Sequence, residues 1–251
     1  MAAPRSLELA ELTWPEVRDA LAAGFDTVVL VGGATEQHGP HLPLGTDIRW
    51  GHALGTRVVQ RLGNALLAPV LPIGPDEEMM AFPGTISLSQ DAAVAVLRDA
   101  CESLLRHGFR RVVACTSHGG WFAPLGRLRA ALPPELAARV VVCDDIFGLI
   151  HAFQPHGTGD GIAVDEMGAH AGEFETSVAL AIDPRMVTGP LPEGTRLDLD
   201  SHPDLFDSDI SPHAPDGVVG DPRRADAARG ARYLDAVAGW VVATVRGEEV
   251  A

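Results

Sequence analysis

The sequence predicts an α/β protein whose β-sheet is mostly parallel and covered by helices on both faces. Two runs, DTVVLVGG (26–33) and RRVVACTS (110–117), are short, continuously apolar and rich in β-branched residues. Such runs are typical of strands buried on both faces. Helix-like segments alternate with the strands along the chain, which indicates crossover connections and therefore a parallel sheet.

Local signals place the individual elements in chain order. Thr13 and Glu16 have the spacing of a capping box, which predicts a first helix over 15–23. Ser89 is placed to cap a long helix over 90–107. The remaining predicted elements are strands within 65–74, 81–89 and 139–146 and helices over 48–62, 124–131, 172–182 and 222–245.

Two segments are predicted to be irregular. The residues HAFQPHGTGDG (151–161), which include His151 and His156, are interpreted either as a mobile loop over the site or as structural or solvent-exposed residues. The segment 190–215 is rich in Asp, Pro, Gly and Ser and is interpreted as a loop inside the domain. A chain of 251 residues that is 46% hydrophobic can bury one large core, so residues 1–251 are predicted to form a single domain.

Composition excludes several classes of function. A formal net charge of -15 argues against a nucleic-acid partner or an anionic membrane surface, because both require a concentrated basic patch. The chain contains no lysine, which excludes Schiff-base chemistry and the lysine of a phosphate-binding loop. No signal peptide or membrane-spanning run is visible, so a cytoplasmic location is expected, and the three cysteines are expected to be buried, reduced thiols.

The segment GGATEQHGPHLPLGTD (32–47) carries the first candidate site. Glu36 and His38 are two residues apart, so their side chains share one side if the extended backbone continues beyond the strand. Asp47 follows a proline-stiffened loop, and His118 comes at the end of another strand. Parallel strands place such groups at one edge, where a shared aspartate could bridge two ions of Zn, Mn or Fe.

A structural interpretation of the same residues remains open. Glu36 and His38 could be solvated turn residues, and Asp47 could only cap the helix that follows it. His41 is interpreted as a residue that hydrogen-bonds within its own loop. The joint placement of the other residues at strand ends favours the metal site over this alternative.

A second candidate site lies in HAGEFETS (170–177). His170 is the group best suited by its ordinary pKa to move a proton to a leaving group. Glu173 and Glu175 could instead only stabilise the positive end of the helix that begins here.

These motifs together resemble one known family. GATEQHGPHLPLGTD, FPGTISLS, SHGG, HAGEFETS and GVVGDPRRADAARG are similar in order and spacing to the creatininase (creatinine amidohydrolase) family, from about residue 12 to 246. The resemblance implies a three-layer α/β/α sandwich, assembly into homo-oligomers that are often hexamers, and hydrolysis of amide-like bonds with two divalent metal ions.

The resemblance also implies roles for individual residues. Glu36, Asp47 and His118 match the ligands of one metal, and His38 and Asp47 match ligands of the other. His170 matches a histidine near the substrate, and Glu175 matches a glutamate of the family motif; both are predicted to be catalytic.

The chain departs from creatininase itself at several positions. Gly120 replaces a metal-binding glutamate, so Glu173 is hypothesised to complete the shell of the second metal from another loop, and Glu175 remains open as the residue that does so. Trp121 and Met79 replace polar residues common among relatives and are predicted to contact a flatter or more apolar substrate.

The resulting hypothesis is a creatininase-like amidohydrolase, classed with the metal-dependent hydrolases of C–N bonds other than peptide bonds. It is expected to cleave an amide, cyclic amide or formamide bond of a small molecule or short peptide through a metal-bridged hydroxide. Cyclic amides, formamides on heterocycles and peptide ends all remain open as substrates. Two alternatives remain: a non-catalytic binding protein that retains the fold, and a hydrolase that opens the ring of a cyclic ketone by C–C cleavage.

Overall fold

The computed structural model describes residues 3–198, 201–202 and 204–248. The strands within these ranges are β1 (Thr27–Gly32), β2 (Ala65–Leu67), β3 (Arg111–Thr116) and β4 (Val140–Val142). The α-helices are α1 (Trp14–Ala22), α2 (Thr46–Leu62), α3 (Gln90–Arg106), α4 (Phe122–Ala131), α5 (Pro134–Ala137), α6 (Ile146–Gly159), α7 (Val164–Met167), α8 (Glu173–Ile182) and α9 (Ala227–Arg246).

The four strands form one parallel sheet in the order β2-β1-β3-β4. Val29 pairs with Leu67 on one side and with Val113 on the other. All six residues of β1 are buried, because helices cover both faces of the sheet. The predicted mostly parallel α/β sheet is therefore confirmed.

Two apolar layers sandwich the sheet. One cluster packs α2, α6, α8 and α9 against a sheet face that includes Val29 and Val113. The other packs α1, α3 and α4 against the opposite face, which includes Val28 and Val112. Successive residues of a strand point to opposite faces of the sheet, so alternate side chains of each strand pack into opposite layers. This arrangement is the three-layer α/β/α sandwich that the sequence predicted.

Several predicted boundaries are correct and others are not. Ser89 caps α3 through its hydroxyl, which accepts from the Ala92 N–H at 3.3 Å. The final helix was predicted to be continuous over 222–245, but a 3₁₀ turn at Pro222–Arg224 precedes α9, and Asp226 caps α9 separately. The segment 81–89 forms no strand and makes only an isolated bridge from Ser87 to Gly74.

The predicted mobile loop over 151–161 is wrong. Residues up to Gly159 belong to α6, whose Leu149, Phe153 and Gly157 are buried at four-residue spacing. This spacing places them on one helix face, which packs into the core despite the proline at 155. His151 is exposed on the other side of the helix and takes no part in the site.

The long segment 190–215 contains no α-helix or strand among its described residues, and residues 199, 200 and 203 lie outside them. Its Leu205 and Ile210 are buried beside Met79 and Val219, which anchors the segment next to the site. None of the described helices combines the length and apolar character that crossing a membrane requires. The three cysteines are buried and unpaired.

Candidate metal centre

Four elements bring the predicted side chains to one place. Glu36 and His38 follow the carboxyl end of β1, and His118 follows that of β3. Asp47 lies in the first turn of α2, and Glu175 lies in the first turn of α8. The carboxyl edge of a parallel sheet is where α/β proteins place their sites.

Three groups of these side chains are close enough to hold a metal ion. Within each group, one ligand atom from every residue lies within 4.8 Å of the others. Asp47 belongs to two of the groups, so its carboxylate can bridge two ions. The groups are Glu36, Asp47 and His118; His38, Asp47 and Glu175; and Glu36, His38 and His170.

The distances show how closely the groups converge. His118 Nδ1 lies 2.9 Å from Glu36 Oε2 and 3.3 Å from Asp47 Oδ2. His38 Nε2 lies 3.3 Å from Asp47 Oδ1 and 3.6 Å from Glu175 Oε2. All the residues of this cluster are buried except Glu175, which is partly exposed.

Each imidazole has one ring nitrogen engaged away from the cluster by a backbone carbonyl. His38 Nδ1 donates to the Glu36 carbonyl at 3.2 Å, and His118 Nε2 donates to the Pro75 carbonyl at 2.8 Å. His170 Nε2 donates to the Gln37 carbonyl at 2.7 Å. The other nitrogen of each ring then faces the carboxylates, which is the orientation of a metal-binding histidine.

The cluster contains buried polar atoms that have no hydrogen bond. These atoms are Glu36 Oε2, His38 Nε2 and both carboxylate oxygens of Asp47. Buried polar atoms without partners are costly, and divalent cations between them would satisfy all four. Carboxylate oxygens and imidazole nitrogens suit Zn, Mn and Fe, so the residues present fit the metals that the sequence predicted.

Burial and mutual charge shift the acid–base behaviour of these groups. Burial raises the pKa of Glu36 to about 8. Burial opposes the charged form of His38, yet the carboxylates of Asp47 and Glu175 raise the pKa of His38 to about 10. Burial and the neighbouring His38 hold the pKa of His170 well below its usual range, so that ring is neutral. Protons therefore balance the charge of the cluster when metal is absent.

The prediction that Glu173 completes the second metal's shell is wrong. Its carboxylate accepts hydrogen bonds from Ser177 Oγ at 2.5 Å, Arg229 Nε at 2.6 Å and the Tyr233 hydroxyl at 2.8 Å. Side chains that are two residues apart on an α-helix point about 200° apart around the helix axis. Glu173 therefore faces α9, while Glu175 faces the cluster. Glu175, the other glutamate considered for this shell, lies in one group of possible ligands with His38 and Asp47.

The prediction that Trp121 contacts substrate is also wrong. Its ring is fully buried in the layer of α3 and α4, and its Nε1 donates to the Gly33 carbonyl at 2.9 Å. A side chain at Gly32 would overlap this ring, which shows how tightly it is packed. Met79 is buried behind Gln37, whose amide nitrogen lies 3.2 Å from the Met79 sulfur. Contact of Met79 with substrate stays a prediction.

The structure explains why position 120 carries no side chain. A Cβ atom at Gly120 would overlap the Pro75 carbonyl oxygen and lie 2.6 Å from His118 Nε2. A glutamate at this position is therefore incompatible with the present loop. The group that contains His38 and Asp47 includes the carboxylate of Glu175 instead.

Sequence reasoning missed one residue of the site and misplaced the contact of another. Asp76 is fully buried, with Oδ1 2.8 Å from His118 Nε2, and its position in the acidic run PDEE offered no sign of this. His41 was expected to bond within its own loop, but its Nε2 lies 2.9 Å from the Thr176 hydroxyl of α8.

The fold and the site together define a class: α/β/α proteins with a buried carboxylate–imidazole cluster, able to hold metal ions, at the carboxyl edge of a parallel sheet. Within this class the chain belongs to the creatininase family. The family model, described as creatinine amidohydrolase, matches residues 10–245.

Named relatives extend this assignment. The chain is 33% identical over 224 residues to the mycofactocin precursor peptide peptidase of Mycobacterium ulcerans (strain Agy99), covering 85% of this chain and 82% of that protein. It is 32% identical over 200 residues to the creatinine amidohydrolase of Pseudomonas putida, covering 73% and 74%. A mutant creatininase of the Zn-Zn type superposes with a TM-score of 0.70 at 27% identity, covering 97% and 98%. These relatives are hydrolases.

Proposed function

We propose that this protein is an amidohydrolase that uses two divalent cations, Zn, Mn or Fe, to cleave a C–N bond. The observation that carries the proposal is the shared Asp47, whose two oxygens lack hydrogen bonds and reach two separate ligand groups.

The ligand groups divide between the two cations. Glu36, Asp47 and His118 would hold one, and His38, Asp47 and Glu175 would hold the other. When bound, such a pair lowers the pKa of a shared water and stabilises the negative charge that develops on the carbonyl oxygen.

His170 provides the proton transfer. Its ring is neutral, its Nε2–H is engaged by the Gln37 carbonyl, and its Nδ1 lies 3.4 Å from Glu36 Oε1. Nδ1 is therefore free to accept a proton at the edge of the cluster and to deliver it to the departing nitrogen.

A short peptide is the favoured substrate, ahead of a cyclic amide. Similarity to the named peptide peptidase covers 85% of this chain, whereas similarity to creatinine amidohydrolase covers 73%. The backbone around Pro75 also excludes a glutamate at Gly120, a position where creatininase carries a metal ligand. Cyclic amides and formamides form the second substrate class.

The decisive experiment combines metal analysis with turnover. The wild-type protein, loaded in turn with Zn, Mn and Fe, is expected to bind close to two ions per chain and to cleave amides in a screen of short peptides, cyclic amides and formamides. His38→Ala is expected to lose one ion per chain and most turnover, because His38 Nε2 faces the second ligand group. An exposed histidine in α6, changed by His151→Ala, serves as the control and should retain both. Full metal content and turnover in His38→Ala would contradict the proposal.

Further proposals rest on the family resemblance. A cytoplasmic homo-oligomer, a hexamer in particular, built from one domain per chain is proposed. Light scattering on the purified protein measures the assembly directly.

A further inference from the structure

Asp76 is a buried carboxylate whose ion-pair partner among the described residues is His118, a histidine of the candidate metal centre. The residue is fully buried, and its Oδ1 lies 2.8 Å from His118 Nε2. Neither carboxylate oxygen has a hydrogen bond. A buried charge of this kind is strongly unfavourable unless a positive charge faces it.

The position of Asp76 is set by the backbone around it. The Asp76 N–H donates to Ser87 Oγ at 2.9 Å, and the Leu88 N–H donates to the Gly74 carbonyl at 2.8 Å. These bonds hold the segment against its neighbour independently of the metal ligands. The segment therefore presents the Asp76 carboxylate to the outer nitrogen of His118.

The two nitrogens of His118 face different partners. Nε2 faces the Pro75 carbonyl and the Asp76 carboxylate, and both present acceptor oxygens to an Nε2–H. Nδ1 faces Glu36 and Asp47, at 2.9 Å and 3.3 Å. A negative charge beside Nε2–H favours the tautomer with a lone pair on Nδ1 and makes that lone pair more basic.

We propose that Asp76 is a positioning residue that strengthens metal binding by His118 at the Glu36–Asp47–His118 site. The inference rests on the metal assignment of the proposed function and adds to it a carboxylate that touches no metal. Outer carboxylates of this kind typically change metal affinity by about 10- to 100-fold.

The test is a calorimetric titration of Zn²⁺ into the metal-free protein. Asp76→Asn keeps the size of the side chain and removes its charge. It is expected to weaken one of the two binding steps by about 10- to 100-fold and to leave the other unchanged. Glu77→Gln removes the same charge from the exposed neighbouring residue and should leave both steps unchanged.

The same substitution in a His118→Ala variant tests whether Asp76 acts on the metal through His118 or binds the metal directly. In His118→Ala, the additional change Asp76→Asn should have no further effect on the remaining Zn²⁺ affinity. Unaltered affinities in Asp76→Asn overturn the inference, and so does an equal loss in the two backgrounds, because Asp76 would then act without His118. If the wild-type protein binds no metal, the proposed function itself fails.

A measurement on the wild-type protein covers the case in which Asp76→Asn does not fold. Nitrogen-15 NMR of the imidazole rings in the zinc-loaded protein should show His118 protonated at Nε2 only. Protonation at Nδ1 overturns the inference.

Discussion

Individual histidines in this site are oriented by hydrogen bonds to backbone carbonyls on the side away from the cluster. His38, His118 and His170 each give one ring nitrogen to a backbone carbonyl and turn the other towards Glu36, Asp47 or Glu175. The carbonyls belong to the same segments that supply ligands or to loops beside them. Orientation is thus established before any metal binds, which reduces the entropy lost when one does.

Asp47 should be the most sensitive ligand. Since its two oxygens reach both ligand groups, Asp47→Asn should lower metal content towards zero, whereas loss of His38 should remove only one ion. Elemental analysis of the purified variants measures this difference. The exposed Asp19→Asn is the control and should retain both ions. Retention of one ion by Asp47→Asn would show that the carboxylate is not shared.

Among individual residues, the sequence correctly placed at the site those that directly follow a strand. It missed Asp76, which does not follow one of the four strands. Glu36, His38 and His118 come directly after β1 and β3, so the rule for parallel sheets placed them together. Asp76 approaches His118 only because the backbone at Gly74 bonds to that at Leu88, a tertiary pairing with no local signature. The burial of Trp121 was not predicted, because its place directly after two glycines does not indicate whether its side chain is buried or exposed.

At the scale of elements, helix phase decided which glutamate joins the site. Glu173 and Glu175 were both plausible from their place at the start of α8, and only the packing of α8 against α9 separates them. The same limitation affected α6, where proline and glycine suggested a loop although Leu149 and Phe153 have helical spacing. Strands β1 and β3 were predicted well because their continuous apolar runs have one simple interpretation.

The junction of α8 and α9 depends on a buried ion pair. Arg229→Met should lower the free energy of unfolding by about 3 kcal/mol, because Glu173 would keep a buried charge with no cation facing it. Urea unfolding of the metal-free protein measures the change without a contribution from metal binding. Arg185→Met, which removes an exposed ion pair, should lower stability far less than Arg229→Met does. Comparable losses in both variants would contradict a special role for the buried pair.

For the whole molecule, the candidate metal centre joins residues at or beside β1, α2, β3 and α8, so its protonation state should govern global stability. In the metal-free protein, folding raises the pKa of Glu36 from 4.5 to about 8 and that of His38 from 6.5 to about 10. Each raised pKa stabilises the fold fully below the unfolded value and loses this effect as pH rises through the folded value.

Both contributions therefore decline together as pH rises from about 6.5 to about 8. Metal ions replace the protons, so binding releases protons and strengthens over the same range. The melting temperature of the metal-free protein should fall across this interval while that of the zinc-loaded protein falls less, and scanning calorimetry with chelator or Zn²⁺ measures the widening difference. In Asp47→Asn, which lacks the shared ligand, the difference should be small at every pH. A difference that stays constant with pH in the wild-type protein would show that protons and metal ions do not compete for this cluster.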